Sequence, residues 1–331
     1  MDFQFTPFFV SPFPRSAPLV SVVKKFWMPI GTTLACAAGF AFPAAGELLG
    51  RHLALMVAAL MLMMGAGIGF RRFSSRMNCW RPVVFVMALT YLAAPLVGWL
   101  LAKLFFSNQP ELYTGMILIA TTSTTLSTCV IFTRLAGGDE ALALWLSVCS
   151  SLLATVVSPL LLLFLLGDSM EVPVRMLISR LLLVLFAPLS VGMIIRALLG
   201  EQRVAPLGGV LTRSCSLIVL TVMMVAVAKG HHLLTGLGSV KLIFVMTVFH
   251  FSRMLLWKAL VGLVSFSRPQ RIATLFCSVE KTLQIPAYMA ISLLGTPAAA
   301  LAPVVHHVVE LVADSMVVTY FSSTEKKVSN D

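Results

Sequence analysis

The chain has 331 residues, of which 59% are hydrophobic and only 11% charged, with a formal net charge of +11. Mean hydropathy is +0.96. A soluble domain carries about 25% charged residues, so this composition excludes one and points to a polytopic membrane protein. The positive balance does not point to nucleic acid. Lys and Arg fall mostly between apolar runs, where they set membrane orientation. Of the Cys residues, Cys36, Cys129, Cys149, Cys215 and Cys277 lie inside apolar runs and none has metal-site spacing. They read as small buried hydrophobes.

Residues 1–25 hold Phe and Pro but no apolar core followed by a small-residue cleavage site. They are expected to be a cytoplasmic segment rather than a signal peptide. A membrane-spanning helix needs about 20 apolar residues. Ten such runs follow, at 26–49, 52–70, 82–106, 112–133, 140–167, 172–199, 207–228, 239–264, 271–294 and 297–322. Residues 323–331 form a tail. One side of the membrane collects fifteen Lys and Arg and the other six, which predicts that both termini are cytoplasmic. The site is then the plasma membrane, or the inner membrane if the source is a bacterium.

The expected fold class is all-α, with ten transmembrane helices in a single domain, 26–322. Ten spans divide into five and five, and an odd-numbered repeat must insert its two copies in opposite orientation. The repeats would be about 26–167 and 172–322, with Pro29 and Pro188 near corresponding points. The fourth and ninth spans are the two with polar middles. The fourth contains Thr121-Thr122-Ser123-Thr124-Thr125-Leu126-Ser127-Thr128-Cys129. A hydroxyl in a membrane helix often bonds back to its own turn. This density exceeds that habit and predicts a polar pathway or ion site. Asp139 and Glu140 then read as cap and first-turn charges of the fifth helix. Ser147, Ser150 and Ser151 follow on one side of it.

The ninth run holds Cys277-Ser278-Val279-Glu280-Lys281-Thr282-Leu283-Gln284-Ile285-Pro286. A charge in bilayer hydrocarbon costs about 3 kcal/mol or more, so it faces a partner or a polar cavity. Pro286 removes a helix hydrogen bond. A broken helix is predicted here. In the tenth run His306, Glu310 and Asp314 are spaced i, i+4, i+8 and share a face, with His307 beside them. This reads as a polar stripe toward the broken helices, a partner for Lys281 or for Arg253 of the eighth run. A metal site is the competing reading, without a second ligand cluster to support it.

Arg81-Pro82, Tyr91-Leu92-Ala93-Ala94-Pro95, Met63-Met64-Gly65-Ala66-Gly67, the hydroxyl run leading into Leu135-Ala136-Gly137-Gly138-Asp139-Glu140-Ala141, and Glu280-Lys281-Thr282 resemble the bile acid:sodium symporter superfamily. The Lys-Thr pair is more similar to its SBF-like branch. The resemblance covers nearly all of 26–322. It implies a panel of spans 1, 2, 6 and 7 and a core of spans 3–5 and 8–10, with spans 4 and 9 broken and crossing. It also implies sodium-coupled uptake of an organic anion.

Carried over residue by residue, the family's Ser-Asn pair falls on Ser127-Thr128 or Thr128-Cys129, so the Asn is missing. A fifth-span hydroxyl falls on Ser147, another on Ala143, and a third-span ligand on Thr90. Two registers fit the ninth span. One puts Lys281-Thr282 on the family's Gln-Asn and leaves Cys277 at its Glu; the other puts Glu280 at the Glu and Gln284 at the Gln. The ion-binding candidates are therefore Thr90, Thr125, Ser127, Thr128, Cys129, Ser147, Cys277, Ser278, Glu280, Lys281 and Gln284. The substrate or crossover candidates are Thr124, Thr282, His307, Glu310 and Asp314. No cofactor is expected beyond sodium as coupling ion. The alternatives are a proton, or Lys281 itself in place of a cation. Lys281 pairs either with Glu280 or with carbonyls. The expected partners are a small organic anion and membrane lipid, with no nucleic acid and no obligate protein. Two readings of other classes compete: an intramembrane metal enzyme built on His306, His307, Glu310 and Asp314, and a regulatory membrane protein.

Overall fold

The computed structural model describes residues 18–68, 76–167, 172–234 and 237–328. Arg15, Arg71 and Arg72, most of the N-terminal segment, the end of the C-terminal tail and the side chains of Lys24, Lys25, Lys326 and Lys327 lie outside this description.

All regular structure among the described residues is helical. The helices are α1 Pro18–Ala41, α2 Pro43–Gly50, α3 Leu53–Gly67, α4 Trp80–Phe105, α5 Pro110–Thr121, α6 Thr128–Leu135 and α7 Glu140–Leu166. They continue with α8 Val174–Leu199, α9 Gly208–Leu233, α10 Gly238–Leu263, α11 Arg268–Val279, α12 at 284–293 and α13 Pro297–Phe321. Six of these (α4, α7, α8, α9, α10 and α13) are long and apolar enough to cross a membrane, and α1 with α2 makes a seventh if that bent pair is one span.

Four runs depart from simple spans. The first bends by 102° between Ile30–Ala41 and Pro43–Gly50, because Pro43 has no N–H to continue the ladder. The second gives a helix of only 15 residues, α3. The fourth and ninth are each two helices separated by non-helical backbone, at 122–127 and 280–283. In the ninth the break precedes Pro286, which sits in the first turn of α12, where an N–H would have no helical acceptor.

The helices approach through small residues, as packing in membranes favours. Where α3 crosses α8, a Cβ on Gly65 would lie 2.1 Å from the carbonyl oxygen of Leu189, and one on Gly192 would lie 2.1 Å from that of Leu62. Gly46 meets Ala228 of α9, Gly98 of α4 meets Ala120 of α5, and Gly115 of α5 meets the backbone of Ala299. Asp139 caps α7 as its sequence position predicts, accepting from the Leu142 N–H at 3.0 Å, and pairs with Arg76 at 2.9 Å. The two breaks lie inside this packing, wrapped by α4, α7, α10 and α13.

Candidate functional site

Unwound backbone at membrane depth persists only where its polar groups find partners. At the end of α5 the carbonyls of Ile117 through Ser123 each have one. Thr121 Oγ1 donates to the carbonyls of Ile117 and Leu118, and Thr122 Oγ1 to that of Ile119. Ser158 Oγ of α7 donates to the Thr121 carbonyl at 2.7 Å. The Ala120 and Thr122 carbonyls accept from Lys281 Nζ at 3.0 and 2.6 Å. The Ser123 carbonyl accepts the N–H of Thr282 at 3.0 Å, a direct backbone bond between the two breaks. Thr124 donates its N–H to Ser150 Oγ at 3.1 Å, and Tyr91 Oη donates to the Ser150 carbonyl at 2.5 Å.

The end of α11 is closed the same way. Arg253 Nη2 of α10 donates to the Ser278 carbonyl at 2.7 Å and lies 3.4 Å from that of Glu280. The Lys281 N–H donates to Glu310 Oε2 at 2.8 Å. A cation therefore sits at the C-terminal end of each broken half-helix, where the aligned peptide dipoles favour positive charge.

Glu280 and Lys281 do not pair. The Glu280 carboxylate accepts from the hydroxyls of Thr125 and Thr128, at the first turn of α6. Lys281 Nζ turns the other way, to three carbonyls: Ala120, Thr122 and Thr90, the last at 3.1 Å. Of the two pairings open in the sequence, the carbonyl one is realised. Successive residues on non-helical backbone point their side chains apart, which separates the two charges.

The remaining candidates divide into three groups. Cys129 Sγ lies 2.9 Å from Ser147 Oγ and donates to the Thr125 carbonyl. Cys277 Sγ lies 3.9 Å from the same hydroxyl and 3.5 Å from the Ala143 carbonyl. Both positions proposed for a family carboxylate, Cys277 and Glu280, thus face the α6–α7 side, Cys277 beside the Ser147 hydroxyl and the Ala143 carbonyl and Glu280 among hydroxyls. On α13, His306 Nδ1 and His307 Nδ1 lie 3.5 and 3.3 Å from the Glu310 carboxylate. Asp314 lies 3.3 Å from His250 Nε2 of α10. Ser127 stands at the N-terminus of α6 without a side-chain cap bond, and Gln284 is buried at the start of α12. Glu280, Lys281, Glu310 and Asp314 expose no surface. Unpartnered side-chain atoms beside them include Glu280 Oε1 and the hydroxyls of Thr90, Ser123, Thr124 and Ser278. Among the described residues no three His, Cys, Asp or Glu side chains are arranged to hold a metal ion.

Sequence reasoning gave Ser158 and Tyr91 no contact, and expected for Arg253 a counter-charge on α13. Each serves a backbone carbonyl of another helix. Arg253 carried a signal, a lone charge inside an apolar run that needed a partner.

Discontinuous helices that bond to each other at depth, with charges at their ends, define this as a multi-pass integral membrane protein of the transporter class. Residues 26–323 match the SBF-like CPA transporter family, and the chain belongs to it. It is similar to Sodium/bile acid cotransporter 7 of Danio rerio, 28% identical over 284 residues, covering 81% of this chain and 83% of the relative. The protein of the same name from Rattus norvegicus is 26% identical over 282 residues, covering 81% and 82%. Sodium/bile acid cotransporter 7-A of Xenopus laevis is 25% identical over 282 residues, with the same coverage. The chain is a transporter of the bile acid:sodium symporter superfamily, not an enzyme.

Proposed function

We propose that this protein is an ion-coupled secondary active transporter that imports a small organic anion by alternating access, with sodium as coupling ion. The observation that carries this reading is the direct bond between the two breaks, Thr282 N–H to Ser123 carbonyl, with the Glu280 carboxylate and the hydroxyls of Thr125 and Thr128 beside it. A carboxylate with one free oxygen among hydroxyls and carbonyls offers a small cation the oxygen ligands it needs. The names of the relatives, sodium/bile acid cotransporters, support sodium and an organic anion.

In this reading the chain is one transport domain, 26–322, of ten spans in a five-plus-five inverted repeat, between a cytoplasmic N-terminal segment and a cytoplasmic tail. The four shorter or interrupted runs count as spans. The packing of α1 on α9 and of α3 on α8 supports a panel. The association of α4, α7, α10 and α13 with the broken helices supports a core. The cleft where α3 and α8 face α7 and α12, lined by Met61, Ser151, Thr155, Leu185, Leu189 and Ile285, is the proposed substrate side.

The test is uptake into proteoliposomes of a radiolabelled bile acid and of short monocarboxylates, driven by an inward sodium gradient. Gradient-driven uptake of at least one, lost in Glu280→Gln, is expected. Uptake that needs neither sodium nor Glu280 would overturn the coupling ion, and no uptake of any anion would overturn the transport reading.

A further inference from the structure

The three acceptors around Lys281 Nζ each exist for a separate local reason. The α4 helix passes through a π-helical turn at Leu89–Ala93. In that turn the Ala94 N–H bonds to the Leu89 carbonyl, one residue further back than in an α-helix. The Thr90 carbonyl loses Ala94 as a donor, and its next candidate is Pro95, which has no N–H. The Ala120 carbonyl is in the last turn of α5, where no helical donor remains. The Thr122 carbonyl lies just beyond, in the break. Two chain segments far apart in sequence thus aim three unspent carbonyls at one point, at the negative end of the α5 dipole.

Such a ring of backbone carbonyls is how proteins replace the hydration shell of a monovalent cation. Here the point is filled by an ammonium with three N–H donors, one for each oxygen. It comes from a third segment, the 280–283 break. No carboxylate bonds it: Glu280 is turned to Thr125 and Thr128, and Glu310 takes the Lys281 backbone N–H. The Tyr91 ring lies 5.8 Å from the ammonium and offers it a further favourable face.

We propose that Lys281 is a tethered occupant of a monovalent-cation site formed by the carbonyls of Thr90, Ala120 and Thr122, and that removing its side chain opens this site to a free primary ammonium or alkali cation. This deepens the transporter reading and rests on it only for the consequence in the cycle. In the wild-type chain this point takes no ion from solution, so a coupling ion binds elsewhere, at Glu280. The α11 end differs: Arg253 bridges carbonyls of one segment alone, a capping arrangement.

The experiment is thermal unfolding of the full chain in detergent, in methylammonium chloride against N-methyl-D-glucamine chloride at equal ionic strength. Wild type, Lys281→Ala and Lys281→Met are compared. Lys281→Ala should melt lower than wild type and recover by roughly 3 °C when methylammonium reaches about ten times its Kd. Lys281→Met fills the space without donors and should melt lower with no recovery. Sodium and potassium should act on Lys281→Ala in the same direction as methylammonium. Equal responses in all three proteins, or none in Lys281→Ala, would overturn the proposal. If Lys281→Ala is not recovered, Lys281→Ser, purified in methylammonium, takes its place; failure of both to fold there would overturn it too. The readout is binding, so a failure to transport any anion leaves this test intact.

Discussion

Arg253 Nη2 donates to the carbonyl of Ser278 at 2.7 Å, and in doing so ends α11 as Lys281 ends α5. The two cations stand against three buried carboxylates, Glu280, Glu310 and Asp314. Removing one member of such a buried charged set costs about 3–5 kcal/mol, because the others are left uncompensated. Arg253→Met is therefore expected to lower the melting temperature by roughly 10 °C. Arg253→Lys, which keeps the charge but not the fork, should recover part of that loss. Thermal unfolding of both variants checks this, and equal loss in the two would show that the fork, not the charge, holds the α11 end.

Ser158 makes a simpler case. Its hydroxyl is the donor that the Thr121 carbonyl has, and both residues are fully buried. Ser158→Ala leaves that carbonyl unsatisfied at a cost of about 1–3 kcal/mol. A drop of roughly 3–8 °C in melting temperature is expected, with Ser158→Thr, which keeps a hydroxyl, closer to wild type. An unchanged Ser158→Ala would mean that the α5 terminus relaxes to find another donor.

The α3–α8 crossing is expected to be intolerant for a different reason. A Cβ at Gly192 would meet the Leu62 carbonyl oxygen at 2.1 Å, and backbone cannot step aside as a flexible side chain can. Gly192→Ala should force the helices apart and destabilise by about 1–3 kcal/mol. Gly262, whose added Cβ would meet nothing within 4 Å, is the matched control and should accept Ala with little change. Comparing the two melting temperatures separates a packing clash from the general effect of losing glycine.

Much of the site was legible in the sequence. Seven hydroxyls between Thr121 and Thr128, and Glu280-Lys281 ahead of Pro286, marked both interruptions, because membrane interiors exclude such groups unless they are used. The polar face of α13 was readable from the spacing of His306, Glu310 and Asp314, but not that Asp314 stands against His250 of α10. The partner of Lys281 was not readable either. It depends on which carbonyls lack helical donors, and that turns on a π-helical turn five residues long, which leaves no periodic trace. The bend at Phe42 was missed because its flanks, Ala41 and Pro43-Ala44-Ala45, are as apolar as a continuous span.

Pro95 then becomes the residue that keeps the Thr90 carbonyl available. An alanine there would bring an N–H to the i−5 carbonyl, as Ala94 brings one to Leu89. The Thr90 oxygen would be shared between that N–H and the ammonium. A hydrogen bond to a charged group contributes about 1.5–3 kcal/mol, so losing it weakens binding of a cation about tenfold or more. In the Lys281→Ala background, Pro95→Ala is expected to raise by that factor the methylammonium concentration giving half the thermal recovery. With Lys281 intact, the single variant should melt little differently, since the new helix bond offsets what the ammonium loses. An unchanged midpoint in the double variant would remove Thr90 from the cradle and leave the ammonium to the α5 carbonyls alone.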